Sequence, residues 1–323
     1  MPTIKIKKKD IEKVKHDLKK NLSKYYKIKV VNENAYLATK KPQKKYPEVK
    51  LKLKKIKKIL NFKKELKKIN PKLKSSYDVI GTIAILEIDI KNLKQKKEIA
   101  KLLLKTNKKI KTIVRKASEH KGKFRLQKYE FLAGKKIFTT LHKENNIQLK
   151  IKINETYFSP RLATERNRIN KLIRPNETIL VMFSGCGVYP INISKNTKAK
   201  KIIGIEINSK ANKLAEENIK INNCKNITLY NEDVKKIIPR INKKFDRIIM
   251  PAPKNAEDYI SITKNLLKKK TFIHLYLFSE LDKIKEKRKT IQKQFKFLHL
   301  KTTKCGQQSA RIYRVCLDLK NND

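Results

Sequence analysis

The sequence is short of the residues that build disulfide frameworks and metal centres. It has four cysteines among 323 residues, none of them in a C-x-x-C pair, and its five histidines are equally dispersed. Disulfide-stapled folds and structural zinc sites need such residues in closely spaced sets. We therefore expect a protein with neither a disulfide framework nor a bound metal.

Long apolar runs are missing as well. A helix that crosses a bilayer needs roughly 20 consecutive apolar residues, and residues 271–278 are among the longest such runs here. The opening MPTIKIKKKD has neither the apolar core nor the cleavage site of a secretory signal. No basic amphipathic helix with large apolar anchors is evident. We expect a soluble, cytoplasmic protein that does not bind a membrane.

Acidic residues are outnumbered almost three to one. The chain has 83 Lys and Arg against 29 Asp and Glu, a formal net charge of +54. A compositional drift towards lysine is the ordinary explanation, but such a drift should also raise glutamate, which is not the case. The excess therefore favours a polyanionic partner that is bound through its phosphates in a salt-dependent way.

Arginine is scarce in this lysine-rich chain. Eleven arginines are present, and the first 114 residues contain none. Where composition favours lysine, an arginine that remains indicates a need for a planar, permanently charged, bidentate donor. The segment 115–174 is therefore a candidate for function.

Two small α/β modules are predicted to precede the main domain. Residues 1–66 carry a helical pattern over positions 11–25 and two short strands, and a lysine-rich stretch then leads to a linker at Asn70-Pro71. Residues 70–156 mix strands with a helix and begin with a buried strand over 76–88. A hairpin turn is predicted at positions 144–146.

From residue 157 onward, strand and helix patterns alternate. Apolar strands are predicted over 178–183, 201–207, 227–230, 245–250 and 272–278, with a helix over 210–221. Such alternation is typical of a doubly wound α/β domain, whose ligand site lies at the carboxyl ends of a mainly parallel sheet. Residues 157–323 are therefore expected to form a Rossmann-like domain.

A glycine loop follows the first of these strands. The sequence TILVMFSGCGVYP places Gly185 and Gly187 where the backbone can turn tightly and approach a ligand. A lone G-x-G motif is weak evidence, and a dinucleotide fingerprint needs a small residue where Pro190 stands. An ordinary glycine turn would explain this loop taken alone.

Acidic residues close the next two strands. Glu206, nineteen residues after Gly187, suits the two ribose hydroxyls of a nucleoside, and Asp233 suits an adenine amino group. The fourth strand ends in a rigid turn at Pro251. The ordered set favours S-adenosylmethionine over NAD, and hence a class I methyltransferase domain. The residues expected at the cofactor from this region are Phe183, Gly185, Gly187, Glu206, Asp233, Val234 and Pro251.

The segment TYFSPRLATERNR, at 156–168, precedes the glycine loop. It sets Glu165 between two basic residues, Arg161 and Arg166. On a helix, Arg161 and Glu165 stand four residues apart, so a surface ion pair worth a few tenths of a kcal/mol would also explain the pattern.

The same segment resembles the archaeal and eukaryotic tRNA guanine-37 N1-methyltransferases. The resemblance covers nearly the whole chain and is strongest at YDVIGTIAILEI, KGKFR…FLAGKKIFTTLHKENN, YFSPRLATER and FSGCG. It implies a tRNA methyltransferase in which Glu165 is the general base for guanine N1 and Arg125 stabilises the base oxygen O6. It also implies that Ser159 and Arg166 lie beside the methionine part of the cofactor.

Methylation at guanine N1 requires such a pair of groups. N1 becomes nucleophilic when a base removes its proton, and a cation near O6 stabilises the charge that develops. The target base must also leave the stack of the anticodon loop. The resemblance further implies that the lysine-rich N-terminal module clasps the outer corner of the tRNA, and we expect a monomer.

One position departs from the family. Many members have an asparagine at the end of the fourth strand, where this chain has Pro251. Some archaeal relatives also methylate C7 of the tricyclic wyosine precursor 4-demethylwyosine, and a less polar wall suits that larger base. A methyltransferase for this precursor alone is one alternative. A tRNA-binding protein without catalysis is another, which the intact Glu165 and Glu206 disfavour, and Pro190 disfavours a nicotinamide oxidoreductase.

Overall fold

In the computed structural model, the chain divides into two compact units, Met1–Lys68 and Ile69–Asp323. The structure describes residues 1–23, 26–53, 61–69, 75–88, 93–117, 126–251 and 259–322. Across these residues, no helix is long and apolar enough to cross a membrane. The expected boundary between modules 70–156 and 157–323 falls inside the second unit, and the three-module division stays a prediction.

The first unit is a small antiparallel sheet with a short helix. Its strands pair in the order β1-β3-β2, and its core consists of apolar side chains from β1, α1 and β3. The elements are β1 (Thr3–Lys7), α1 (Ile11–Asp17), β2 (Lys29–Val31), β3 (Asn34–Ala38) and α2 (Phe62–Ile69), the last of which reaches the unit boundary.

The helix predicted over 11–25 is wrong in its length. The backbone leaves helical geometry at Leu18, where ψ is 17°, and Leu22 instead forms an isolated bridge with Thr39. Leu18 is buried against the sheet all the same. The apolar spacing therefore predicted correctly that Leu18 is buried, but it did not predict the end of the helix. The last residue of the pattern, Tyr25, lies outside the described residues.

The second unit opens with a four-stranded sheet in the order β4-β5-β6-β7. Its middle pair, β5 and β6, is parallel and the outer pairs are antiparallel. The elements are β4 (Ser75–Ile80), β5 (Ile83–Ile88), α3 (Leu93–Thr106), β6 (Thr112–Lys116) and β7 (Tyr129–Gly134).

The single strand predicted over 76–88 is wrong, because the chain turns back at Gly81. This glycine has a φ of +54°, and a Cβ there would lie 2.3 Å from Oγ1 of Thr140. A turn that needs both a left-handed backbone and the space of a missing side chain accommodates only glycine. The apolar run therefore supplies two antiparallel strands.

A hairpin links this sheet to the main domain. It consists of β8 (Thr139–Glu144) and β9 (Ile147–Lys152). The turn between them, at the predicted place, has Asn145 and Asn146 at φ values of 41° and 62°. Apolar residues of β9 enter a core cluster shared with both neighbouring sheets. The amide of Asn218 fixes the hairpin by donating to and accepting from the backbone of Lys150, at 3.1 and 2.7 Å.

The largest part of the second unit is a seven-stranded sheet in the order β12-β11-β10-β13-β14-β16-β15. The first five are parallel, which confirms the predicted doubly wound, Rossmann-like α/β class. The antiparallel β15 and β16 were not predicted. The strands are β10 (Thr178–Met182), β11 (Lys201–Ile205), β12 (Ile227–Tyr230), β13 (Phe245–Met250), β14 (Leu267–Ser279), β15 (Phe297–Gln307) and β16 (Tyr313–Asn321).

Helices cover both faces of this sheet. Alternate residues of β10 point in opposite directions, so Leu180 and Met182 enter one core cluster while Ile179 and Val181 enter another. Strands buried on both faces read as continuous apolar runs, which is why they were visible in the sequence. The helices are α4 (Ala163–Leu172), α5 (Val188–Asn196), α6 (Ser209–Ile221), α7 (Val234–Ile237) and α8 (Ile284–Phe295).

The glycine loop lies between β10 and α5. Gly185 and Gly187 have φ values of +57° and +82°. A Cβ at Gly187 would lie 3.0 Å from Cβ of Ala215 and 3.1 Å from Cδ1 of Ile191, whereas at Gly185 the nearest atom would be 4.0 Å away. Gly187 is therefore required for the packing of α5 on α6, and Gly185 leaves open space beside the backbone.

This difference predicts unequal effects of alanine at the two glycines. Both substitutions place a Cβ on left-handed backbone, at a cost of about 1 kcal/mol. In Gly187→Ala the new Cβ must also displace the side chains of Ala215 and Ile191, which adds about 1–3 kcal/mol to the loss of stability. We expect urea unfolding to show a clearly lower free energy of unfolding for Gly187→Ala than for Gly185→Ala. Equal losses would contradict the packing role of Gly187.

The division into units predicts that the second one folds alone. The core clusters at the two sheets and the hairpin draw their members from residues beyond position 68. We expect a chain that starts at residue 69 to keep a cooperative thermal transition close to that of the full chain. A broad transition without cooperativity would show that the first unit is needed for folding.

Candidate active site

A cleft lies at the carboxyl edge of the seven-stranded sheet. The loops after β10, β11 and β13 line it together with the segment before α4, as expected for a doubly wound fold. Of the predicted cofactor residues, six are brought together here. They are Ser159, Arg166, Phe183, Gly185, Glu206 and Pro251. Other lining residues include Tyr157, Phe158, Tyr189, Ile207, Asn208 and Arg314.

Glu206 lies at the end of β11 and is held by backbone donors. Its Oε2 accepts from the N–H of Gly185 at 2.7 Å, and its Oε1 accepts from the N–H of Asn208 at 2.8 Å. Burial raises the pKa of Glu206, against the effect of these hydrogen bonds. No cationic side chain of the described residues pairs with it. The carboxylate therefore has lone pairs left for hydroxyl donors on a ligand.

Arg166 lines the same cleft as part of a buried ion pair. Its guanidinium donates in bidentate fashion to Glu144, with Nη2 at 2.6 Å from Oε2, and also to the carbonyl oxygen of Ser159 at 3.1 Å. Burial would raise the pKa of Glu144, but hydrogen bonds from His142 and Arg166 outweigh it and hold that pKa below its usual value. The pair anchors α4 to the β8–β9 hairpin and fixes the cleft wall.

Three predicted cofactor residues lie outside this lining. Gly187 packs against α6, as described above. Asp233 caps α7 by accepting from the N–H of Lys235 at 3.0 Å, and Val234 is buried in the core under the sheet. Arg125, the predicted partner of the target base, lies outside the described residues.

A second, more polar cleft adjoins the first. The two share Tyr157, Phe158, Ser159, Leu162 and Arg314, so the segment before α4 and one residue of β16 form their common wall. The second cleft reaches the four-stranded sheet. Its other lining residues include Asp78, Glu87, Lys116, Gln127, Tyr129, Arg161, Phe278, Gln307 and Gln308.

Arg161, whose spacing from Glu165 fits a helical surface pair, has another partner. It lies in a 3-10 turn, Pro160–Leu162, just before α4. Its Nε donates to Oδ1 of Asp78 at 2.7 Å, and its Nη2 lies 3.4 Å from Glu87. The pairing joins the main domain to the four-stranded sheet at the rim of the second cleft.

Glu165 is buried behind the two clefts rather than lining either of them. Nε and Nη2 of Arg168 donate to its two oxygens at 2.8 Å, and the hydroxyl of Tyr276 donates to Oε1 at 2.6 Å. Tyr276 in turn accepts from the hydroxyl of Tyr189, which lines the first cleft. The hydroxyl of Tyr276 thus links Glu165 to Tyr189, a residue of the first cleft.

Arg168 continues this network into the sheet. Its Nη1 donates to Asp318 at 2.7 Å, and Asp318 also contacts Nδ1 of His274 at 2.6 Å. Burial would raise the pKa of Asp318, but hydrogen bonds from His274 and Arg168 hold it far below its usual value. Burial lowers the pKa of His274, against the effect of its hydrogen bond to Asp318.

Three residues of this network have side chains spaced like the ligands of a metal ion. Ligand atoms of His274, Cys316 and Asp318 lie within 4.8 Å of one another. Two arginines occupy the positions that a cation would need, because Arg168 contacts Asp318 and Arg247 lies 2.6 Å from Nε2 of His274. We interpret the group as part of an ion-pair network.

Sequence reasoning missed Asn208 and Arg314. Asn208 caps α6, and its side chain also donates to the carbonyl oxygen of Glu155 at 2.9 Å. An asparagine directly before a helical pattern is a capping signal that would have identified it. Arg314 was visible as one of the few arginines, but nothing in the sequence places β16 beside the clefts.

The sequence and the fold of this chain are similar to those of known methyltransferases. Residues 140–304 match the model of the TRM5/TYW2 methyltransferase domain, and residues 56–137 match that of the TYW2 N-terminal domain. A solved aTrm5 chain from a complex with tRNALeu superposes with a TM-score of 0.84 at 32% identity, covering 100% of both chains.

Two curated relatives show the same similarity in sequence. A tRNA (guanine(37)-N(1))-methyltransferase Trm5b from Pyrococcus abyssi is 36% identical over 220 residues, which cover 68% of this chain and 64% of that protein. The chain thus spans less than two thirds of this relative's length. A tRNA (guanine(37)-N(1))/4-demethylwyosine(37)-methyltransferase Taw22 from Nanoarchaeum equitans is 33% identical and is covered over 88% of its length. The chain belongs to the TRM5/TYW2 methyltransferase family.

Proposed function

We propose that this protein transfers a methyl group from S-adenosylmethionine to N1 of guanosine 37 in tRNA. The observation that carries the proposal is the pair of adjoining clefts, one with an unpaired carboxylate suited to a nucleoside and one more polar, which share a wall. The relatives named for this activity support it.

The first cleft fits the cofactor. Glu206 offers a carboxylate without a cationic partner to the two ribose hydroxyls, and Gly185 and Phe183 border the space beside it. The hydroxyl of Ser184 is buried in the lining and has no hydrogen-bond partner among the described residues, as expected where a polar ligand completes the site. When bound, S-adenosylmethionine supplies a methyl group activated by its sulfonium. Asp233 and Val234 belong to the proposed adenine end, and Ser159 and Arg166 to the methionine end.

The second cleft is proposed to receive the base turned out of the anticodon loop. Glu165 takes the proton from N1, and Arg125 stabilises the negative charge at O6. For this step the Glu165 carboxylate must exchange its bonds to Arg168 and Tyr276 for one to the base. Glu165 lies in the first turn of α4, directly before Arg166, which lines the first cleft.

The charge of the chain supports tRNA as the partner. With a net charge of +54, lysine–phosphate contacts supply affinity without reading sequence. We propose that the first unit contacts the outer corner of the tRNA while the second takes the anticodon loop, and that the chain acts as a monomer.

Glu165→Gln tests the proposed general base. The amide keeps the shape of the side chain but cannot accept the proton, so single-turnover methylation of G37 should fall roughly 10²-fold or more. S-adenosylmethionine affinity should stay within about threefold, since Glu165 does not line the cofactor cleft. Rapid-quench kinetics and calorimetry measure the two quantities, at a temperature where both chains are folded.

Glu217→Gln is the matched control for this variant. Glu217 is a surface carboxylate paired with Lys150, so its loss changes the charge equally without touching either cleft. A Glu165→Gln rate equal to that of the control would show that another group removes the proton.

We also propose methylation of the tricyclic wyosine precursor as a second activity. Pro251 lines the first cleft close to its junction with the second, because its carbonyl oxygen accepts from Arg314, which lines both clefts. Pro251 offers no side-chain donor, and a relative covered over 88% of its length is named for both reactions. A wall that makes no polar contact with guanine discriminates less against a larger base, since one such hydrogen bond is worth about 1 kcal/mol.

Pro251→Asn is expected to lower methylation of the tricyclic base more than methylation of guanosine 37. The two substrates are prepared as separate tRNAs, and product masses identify each methylated nucleoside. If the native chain leaves the tricyclic base unmodified while it methylates guanosine 37, the second activity is refuted and the first is retained.

A further inference from the structure

Arg314 is a buried cation without a carboxylate partner. It lies on β16 with 6% of its surface exposed. No acidic side chain in the described parts of the chain forms an ion pair with it, and its Nε has no hydrogen-bond partner there. Among the described residues, the two other deeply buried arginines, Arg166 and Arg247, each donate to a glutamate in bidentate fashion. Arg314 therefore differs from both, because no carboxylate of the described residues neutralises its charge.

The neighbours of Arg314 position its guanidinium without neutralising it. Nη2 donates to the carbonyl oxygen of Pro251, and Nη1 lies 3.5 Å from the hydroxyl of Tyr157. Its central carbon lies 5.7 Å from the ring of Tyr276 and 5.9 Å from that of Phe278. Ring faces attract a cation, but less than a carboxylate does. A buried unpaired charge is costly, and such a charge is retained where a ligand completes it.

Arg314 also lies where the two clefts meet, because it lines both of them. The pairing of Phe278 with Arg314 puts this residue at the carboxyl end of β14, the edge of the sheet where the clefts open. A group at this junction faces the point at which the methyl group passes from one cleft to the other. The cation is thus placed for an acceptor atom that gains negative charge during the transfer.

We propose that Arg314 is a second catalytic arginine, which contacts the target base and, together with Arg125, stabilises the negative charge on its keto oxygen. The inference rests on the proposed function. In the balanced step, the N1 proton moves to Glu165, the N1 lone pair forms the new bond to the methyl carbon, and the carbon–sulfur electron pair stays on sulfur. Loss of the N1 proton leaves a negative charge on the base, which is shared between N1 and O6. The guanidinium next to O6 lowers the energy of this deprotonated base.

The assignment predicts a separation of stability from activity. Arg314→Met replaces an unpaired buried charge with an apolar side chain of similar length, so the thermal midpoint should be unchanged or higher. Single-turnover methylation of G37 tRNA should fall roughly 10²-fold, and Arg314→Lys should recover part of the rate because it keeps the charge without the planar fork. Affinity for S-adenosylmethionine should change less than threefold.

Arg311→Met is the matched control. Arg311 is exposed three residues earlier in the chain, so this variant loses the same charge near the same surface and reports any general loss of tRNA attraction. We expect it to methylate at the native rate. A second substrate, tRNA with 2-aminopurine at position 37, lacks the keto oxygen. The native chain should bind G37 tRNA more tightly than this analogue, and Arg314→Met should reduce that preference while Arg311→Met leaves it unchanged.

Several outcomes would overturn the assignment. An Arg314→Met rate within threefold of the control excludes a catalytic contact. A thermal midpoint that falls for Arg314→Met would mark a structural residue, and a tenfold weaker S-adenosylmethionine affinity with a native rate at saturation would mark a contact to the cofactor carboxylate. A native chain that binds both ligands but leaves G37 unmethylated would refute the proposed function itself.

Discussion

The double ion pair of Arg168 ties together the parts of the molecule that form the clefts. One guanidinium holds Glu165 on α4 and Asp318 on β16, two elements that are 150 residues apart in sequence. This contact holds α4 against the sheet, and the same helix places Arg166 in the lining of the first cleft. Removing one partner of such a pair leaves a buried charge behind, which makes the arrangement an all-or-none constraint. The shared wall of the two clefts depends on it.

The segment before α4 shows how few residues define both clefts. Three consecutive residues that follow the hairpin and a short turn line both the first and the second cleft. They are Tyr157, Phe158 and Ser159. Arg161, two residues after Ser159, forms an ion pair with Asp78 and so connects the segment to the four-stranded sheet. Residues that are adjacent in this segment therefore line both clefts.

Sequence alone predicted the features that repeat and missed those that depend on distant partners. The parallel strands were visible because both of their faces are buried, and the loop glycines because their backbone needs no Cβ. The turn at Gly81 was missed because an apolar run continues through it. Arg314 and Tyr276 were missed because their importance arises from β14 and β16 meeting at the cleft edge. The helix over 11–25 was overextended because a buried residue beyond a helix end keeps the same apolar spacing.

Glu206 and Arg314 place two charges of opposite sign, each without an ion-pair partner among the described residues, around one cleft. Burial raises the pKa of Glu206, so the folded chain holds this proton more tightly than the unfolded chain does. Its contribution to folding is full below the unfolded pKa and is lost as the pH rises through the folded pKa, so at neutral pH the ionised group opposes folding. Both charges therefore oppose folding of the empty domain, and binding of the proposed cofactor and base would relieve both of them. Ligand concentration and folding stability are thereby coupled in this protein, and the chain is most resistant to unfolding when both clefts are filled.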